Sequence, residues 1–206
     1  MPATVDALLP LSLLEAVRRV DTPEAYDDVE FVGDLRNKRF GVSDTVYAQI
    51  KRYTEAVQRE ERVPLTEAAA IARLIGRRSD AEQVFRSAGR YLAGEVYSRI
   101  PKFSRWVARV LPSFVARPVA LRATRRVAAR YYNGTVERVG AFVVLDVSES
   151  VTAAAASGAI GCTYYQASLA EVLARLIHAG GVVDHVRCVR RGEGICQWRA
   201  EWRPRR

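Results

Sequence analysis

The chain is short of several things that sort proteins into classes. Of its 206 residues only three are cysteines, two are histidines and one is methionine. Lysine is nearly absent, confined to Lys38, Lys51 and Lys102, so the net charge of +9 rests almost wholly on arginine. An odd cysteine count argues against a disulfide framework and for a reducing compartment. No apolar run approaches the roughly 18 residues that a membrane span needs. The N-terminus, Met-Pro-Ala-Thr-Val-Asp, carries an acid and no basic segment, which is not the pattern of a secretory signal. A cytoplasmic protein is the expectation. Chemistry-bearing patterns are missing as well. There is no Gly-x-Gly-x-x-Gly loop, no nucleophile beside a base and no paired-carboxylate motif, so the reading leans away from an enzyme and leaves the catalytic set empty.

What is present is concentrated. All three cysteines and both histidines fall in the last fifth of the chain. Cys188 and Cys196 flank a Gly192-Glu193-Gly194 turn between two strand-like runs, and such a hairpin can aim two thiolates at one point. His185 stands three residues before Cys188, and Cys162 precedes an amphipathic helix bound to pack on the same sheet. Together Cys162, His185, Cys188 and Cys196 would make a closed Cys3His zinc site. The competing reading is three buried free cysteines acting as small hydrophobes, because the spacing is not that of a zinc-ribbon CxxC pair. His178, at the end of its helix, reads as a residue placed against the helix dipole and not as a ligand.

The hydrophobic content of 49% supports a real core. Periodicity predicts a short helix over 11–20, an irregular 21–40, a helix capped by Ser43-Asp44, a break at Val63-Pro64, a helix over 66–77 and another capped by Ser79-Asp80. Gly89 and Gly94 inside that last helix mark close helix packing. Between Val96 and Val136 lie nine basic residues and no acid, interleaved with Phe103, Trp106, Val107, Val110 and Phe114. This basic amphipathic helix pair suits a solvated face, a peripheral membrane contact or an acidic protein partner. Nucleic acid has the weakest support, since no recognised motif accompanies the charge. Asn133-Gly134 ends the helices, strands follow over 135–147, a helix runs over 164–177 to Gly180-Gly181, and 182–190 with 195–202 form a closing hairpin. The fold class is α+β, a helical layer on an antiparallel sheet. Residues 1–42 read as an N-terminal extension with a short helix and 43–206 as the domain, its zinc hairpin spanning 162–198.

Three stretches carry a resemblance. A Cys opening a helix (Cys162-Thr-Tyr164-Tyr165-Gln-Ala), a Cys on a strand (Cys188) and a third across a Gly-acidic turn (Cys196), with Trp198 after it, resemble the vinyl-reductase-like domain family. The glycine-bearing helix ending Arg99-Ile-Pro101 and the break at Leu111-Pro112 are similar to that family's bacteriochlorophyll-biosynthesis branch. The resemblance covers roughly residues 80 to 203. It implies the fold of small TRAPP subunits, a homodimer formed through the helical layer, and zinc held by Cys162, Cys188 and Cys196. The family's phenol sensors have a glutamate as fourth ligand, where this chain has His185. It also implies an apolar or aromatic small molecule between helices and sheet, with Phe103, Trp106, Tyr131, Tyr132, Phe142, Tyr164 and Tyr165 as candidate lining. The phenol sensors use a tryptophan upstream of the first cysteine, a neighbourhood that here reads Ala141-Phe142. The implied function is therefore binding or delivery of a chlorophyllide-type tetrapyrrole. A stand-alone sensor or adaptor for another apolar or acyl ligand, or a reductase with a separate electron donor, are the alternatives.

Overall fold

Antiparallel pairing organises both ends of the molecule. The computed structural model describes residues 3–21, 44–156, 158–177 and 182–201. In chain order these form β1 (Thr4–Asp6), α1 (Leu8–Asp21), α2 (Asp44–Gln58), β2 (Arg62–Pro64), α3 (Leu65–Ile75), α4 (Ala81–Arg99), α5 (Lys102–Val110) and α6 (Ser113–Val127). A π-helical turn (Ala128–Tyr132) leads to β3 (Gly134–Val139) and β4 (Phe142–Val147), and a 3-10 turn (Ile160–Cys162) to α7 (Thr163–Ile177). Then β5 (Val183–Arg187), a second 3-10 turn (Val189–Arg191) and β6 (Cys196–Glu201) close the described chain. It is an α+β protein with seven α-helices among the described residues and two antiparallel sheets, β1-β2 and β3-β4-β6-β5.

The four-stranded sheet follows the period-2 rule. Val143, Leu145 and Val147 of β4 are buried and stand opposite Ala200, Trp198 and Cys196 of β6. On the far side of β6, Val183 and His185 of β5 oppose Ala200 and Trp198. These residues therefore share one face, and α7 packs on it through contacts with β5 and β6. On the other side α7 packs against α4, the most extensive helix pair in the molecule. Gly89 explains the closeness: a Cβ there would come within 2.2 Å of the Tyr164 carbonyl oxygen. Gly94 differs, since its nearest neighbours are Arg175 guanidinium atoms at 3.8 Å, ordinary contact distance. Of the two glycines expected to mark close packing, only Gly89 is required by it.

Residues 4–21 are not peripheral. Leu8, Leu9, Leu11, Leu13 and Leu14 belong to the same buried core as the sheet and α7, and Ser12 Oγ shares a buried 3.0 Å hydrogen bond with Tyr164 Oη. The run Leu8-Leu9-Pro10-Leu11 lacks a clean amphipathic stripe because the N-terminal half of α1 is buried on every side. Residues 22–43, His178, Gly180-Gly181 and Trp202 lie outside the described residues, as does the Ser43 cap.

Other expectations shift at the ends of elements. Asp80 precedes α4 without a side-chain capping bond, because its carboxylate is taken by Arg78 (2.8 Å to Nε), which also binds Asp21. The Arg78 bond is the main reason the Asp80 carboxyl lies below its usual range. The hairpin strand expected to reach residue 190 stops at Arg187, where a bulge between His185 and Arg187 and the following 3-10 turn bend the chain. Asn133 takes the left-handed conformation at φ 50°, as the Asn-Gly pair implied.

Candidate metal centre

The four residues singled out in the last fifth of the sequence converge. The ligand atoms of Cys162, His185, Cys188 and Cys196 all lie within 4.8 Å of one another, the three cysteines fully buried and His185 partly so. Each arrives from a different local structure. Cys162 closes the 3-10 turn before α7, where Thr163 Oγ1 donates to the Ile160 carbonyl. That turn is braced from behind: Thr152 Oγ1 donates to the Gly161 carbonyl at 2.6 Å, and a Cβ on Gly161 would come within 1.8 Å of the Thr152 carbonyl oxygen. Only glycine lets the 151–156 turns come so close. His185 sits on edge strand β5 and stacks on Trp198 with ring centroids 5.1 Å apart and 18° between planes. Cys188 follows the bulge, and its backbone N–H donates to Glu193 Oε2 at 2.6 Å. Gly192 and Gly194, at φ 81° and 75°, turn the chain back so that Cys196 enters β6 facing inward.

The spacing fits a four-coordinate ion. Thiolates about 2.3 Å from a tetrahedral centre lie about 3.8 Å apart, and Cys162 Sγ to Cys188 Sγ is 3.8 Å. His185 Nε2 is buried without a hydrogen-bond partner. A buried imidazole nitrogen left unpaired is costly, and one ring nitrogen of His185 lies among the clustered ligand atoms, hydrogen-bonded to Cys196. Without a cation the thiols must share their protons. Hydrogen bonding from Cys162, and then from the Val189 backbone N–H, lowers the pKa of Cys196, while the same Cys162–Cys196 contact, with burial, pushes Cys162 far up. Four potential ligand atoms thus share one largely buried focus. The cluster could hold a metal ion.

The aromatic candidates do not form one pocket. Tyr132, Tyr164, Tyr165 and Trp198 are fully buried and pack edge-on or tilted against one another in the core. The three tyrosine hydroxyls are satisfied inside the protein, whereas Trp198 Nε1 is buried without a hydrogen-bond partner among the described residues. Tyr132 Oη and Ser168 Oγ share a 2.7 Å hydrogen bond, and the Val151 N–H donates to Tyr165 Oη. Burial pushes the Tyr165 phenol up to about 12. These rings fill the space between helices and sheet where a ligand was expected. Phe142 lies elsewhere, at the start of β4 under the Arg199 guanidinium.

A large cavity lies among the helices instead. It has a volume of about 950 Å³ between the ends of α2 and α4, helices α5 and α6, and the π-helical turn. Its walls are mainly aliphatic, including Val57, Val96, Ile100, Val107, Leu111, Val115 and Val119, and Arg99, Arg122, Arg126 and Arg130 also line it. Phe103 and Tyr131 are the only two of the expected aromatics in its lining, and Trp106 stands outside on the surface. Sequence reading missed the aliphatic wall because Val107, Leu111, Val115 and Val119 look like ordinary helix core. The break at Leu111-Pro112, between α5 and α6, was the available signal.

A scan against models of protein families matches none, and a search of curated proteins gives no match to this chain. No helix among the described residues is long and apolar enough to cross a membrane.

Proposed function

We propose that the chain is a zinc-stabilised binding protein for an amphipathic small anion. Its role would be to hold or deliver that molecule without chemically changing it. The observation that carries the reading is the aliphatic cavity with Arg99, Arg122 and Arg126 in its wall, none of them paired with a carboxylate among the described residues, while Arg130 is held by Glu60 and Asp6. Its volume lies at the upper end of the roughly 300–1,000 Å³ usual for small-molecule sites. Apolar walls favour a large hydrophobic body, and the guanidinium groups favour a carboxylate at its edge. A chlorophyllide-type tetrapyrrole, flat, apolar and bearing a propionate, meets both demands and is the ligand that the sequence resemblance implies.

The metal in this reading is zinc, because three thiolates and one imidazole at tetrahedral spacing are a donor set that zinc prefers. When bound it would supply charge neutralisation and a cross-link, with Cys162, His185, Cys188 and Cys196 occupying all four positions. A closed set leaves no place for water or substrate, so the role is structural.

Titration of the purified protein with chlorophyllide tests the ligand. A saturable shift in the pigment's absorbance at micromolar concentration is expected, and loss of that shift in Val119→Trp, which fills the cavity from its partly exposed wall. A wild-type protein that gives no shift ends the pigment reading. The aliphatic lining favours one alternative, a fatty-acyl anion, whose flexible chain needs no aromatic platform. A fluorescent fatty acid displaced by unlabelled palmitate, with no response to chlorophyllide, would establish it.

A further inference from the structure

Helix α5 divides sharply around its axis. At helical spacing Phe103, Trp106, Val107, Val110 and Leu111 fall on one side, with Lys102, Arg105 and Arg109 on the other. Val107 and Leu111 face the cavity and Phe103 borders its mouth, but most of the Phe103, Trp106 and Val110 surface is exposed. Phe103 is 73% exposed, Trp106 51%, Val110 60%, and Phe114 in the first turn of α6 77%. Phe103 and Trp106 stack with centroids 6.3 Å apart, so the patch is a preformed aromatic surface. Single exposed apolar residues are ordinary, whereas four large ones on adjoining helix turns mark a contact surface.

The charge around the patch says what it contacts. Arg105 and Arg109 lie over the Tyr97 ring, and Arg109 Nε donates to the Arg175 carbonyl. Lys102, Arg117, Arg122 and Arg126, by contrast, have no carboxylate within ion-pair distance among the described residues. The sequence has no acid anywhere between Val96 and Val136. An aromatic patch bordered by unpaired cations, on a helix too short to span a bilayer, has the composition of an interfacial helix.

We infer that the face formed by α5 and the start of α6 docks on an anionic lipid bilayer. Phe103, Trp106, Val110 and Phe114 enter the headgroup boundary, while Lys102 and Arg117 meet the phosphates. The docking needs no bound small molecule, so a failed pigment or fatty-acid titration leaves it standing.

Vesicle flotation of the full chain tests it, using phosphatidylcholine alone against an equal mixture of phosphatidylcholine and phosphatidylglycerol. Wild type is expected to float with the anionic vesicles only, and less as salt rises. Trp106→Ser with Phe114→Ser should weaken binding on the order of tenfold per ring lost, from the apolar area removed. Lys102→Glu with Arg117→Glu should remove the preference for anionic lipid. All four side chains lie at the surface or end a helix turn, so unchanged melting is the control for folding. Equal flotation on neutral and anionic vesicles overturns the inference, as does unchanged binding by the double-serine variant. Two further results assign the face elsewhere and also overturn it. One is a concentration-dependent dimer, abolished by the serine substitutions, without flotation. The other is saturable binding to a polyglutamate peptide without flotation.

Discussion

The two functional regions of this protein use opposite strategies. The Cys-His cluster is small, buried and over-determined: four side chains from two turns and two strands meet within 4.8 Å, with Gly161 and Glu193 fixing the loops that carry them. The α4–α6 region is open and under-determined, a cavity of about 950 Å³ where Arg130 pairs with Glu60 and Asp6 while Arg99, Arg122 and Arg126 pair with no acid among the described residues. One region satisfies its polar groups only if something arrives at its centre. The other already has a stable apolar frame and leaves its charges to solvent or a ligand. Loss of a group should therefore unfold the first region and merely change the binding of the second.

The largest effect should come from the cluster. Cys188→Ser is expected to release the metal and destabilise the domain by more than about 3 kcal/mol, since metal binding at such a site is also folding free energy. Elemental analysis together with chemical denaturation checks it. The thiolates must stay deprotonated to hold the ion, so acid should release it from wild type as well. A well-folded wild type without stoichiometric metal would break the contrast at its root. Next is Gly161→Ala, which touches no ligand atom. Its methyl would overlap the Thr152 carbonyl, forcing the Cys162 turn outward at a cost of about 2–3 kcal/mol, with weaker metal retention in a chelator competition.

A matched pair on α4 sharpens the comparison. Gly89→Ala should destabilise by about 1–3 kcal/mol, because the Tyr164 carbonyl blocks the methyl. Gly94→Ala, where only the flexible Arg175 guanidinium is near, should instead stabilise by up to about 1 kcal/mol from helix propensity. Thermal melts of both variants decide it, and equal signs would show that α4 and α7 are not as closely packed as described. The smallest effect on stability belongs to the cavity. Arg122→Ala with Arg126→Ala should change stability by less than about 0.5 kcal/mol, since neither has an ion-pair partner among the described residues. If they bind the ligand's anionic group, affinity should still fall several-fold in the titration that detects it.

The cluster was far more legible than the cavity, for a physical reason. Metal-ligating residues are scarce, so the confinement of all cysteines to Cys162, Cys188 and Cys196, with His185 beside them, was visible without coordinates. Turn chemistry at Gly192 and Gly194 carries a left-handed backbone that the sequence announces. A cavity is a volume left between surfaces. Its lining residues are the same valines and leucines that fill a core, and no pattern separates the two. Tyr132, Tyr164 and Tyr165 show the converse error: aromatic rings read as lining became packing, because each found a hydrogen-bond partner in the interior.

Local chemistry determined by itself the α+β class, most helix cores, the Asn133 turn and the four members of the cluster, because periodicity, turn propensity and donor type act over a few residues. Tertiary structure decided the rest. It drew β1 and α1 into the core through Ser12 and Tyr164, placed β6 between β4 and β5, left Asp80 to Arg78 instead of the helix N-terminus, and put the cavity among helices and not under the sheet. Each outcome depends on which surfaces meet across long sequence separations, a competition among alternative partners that no short window of residues contains.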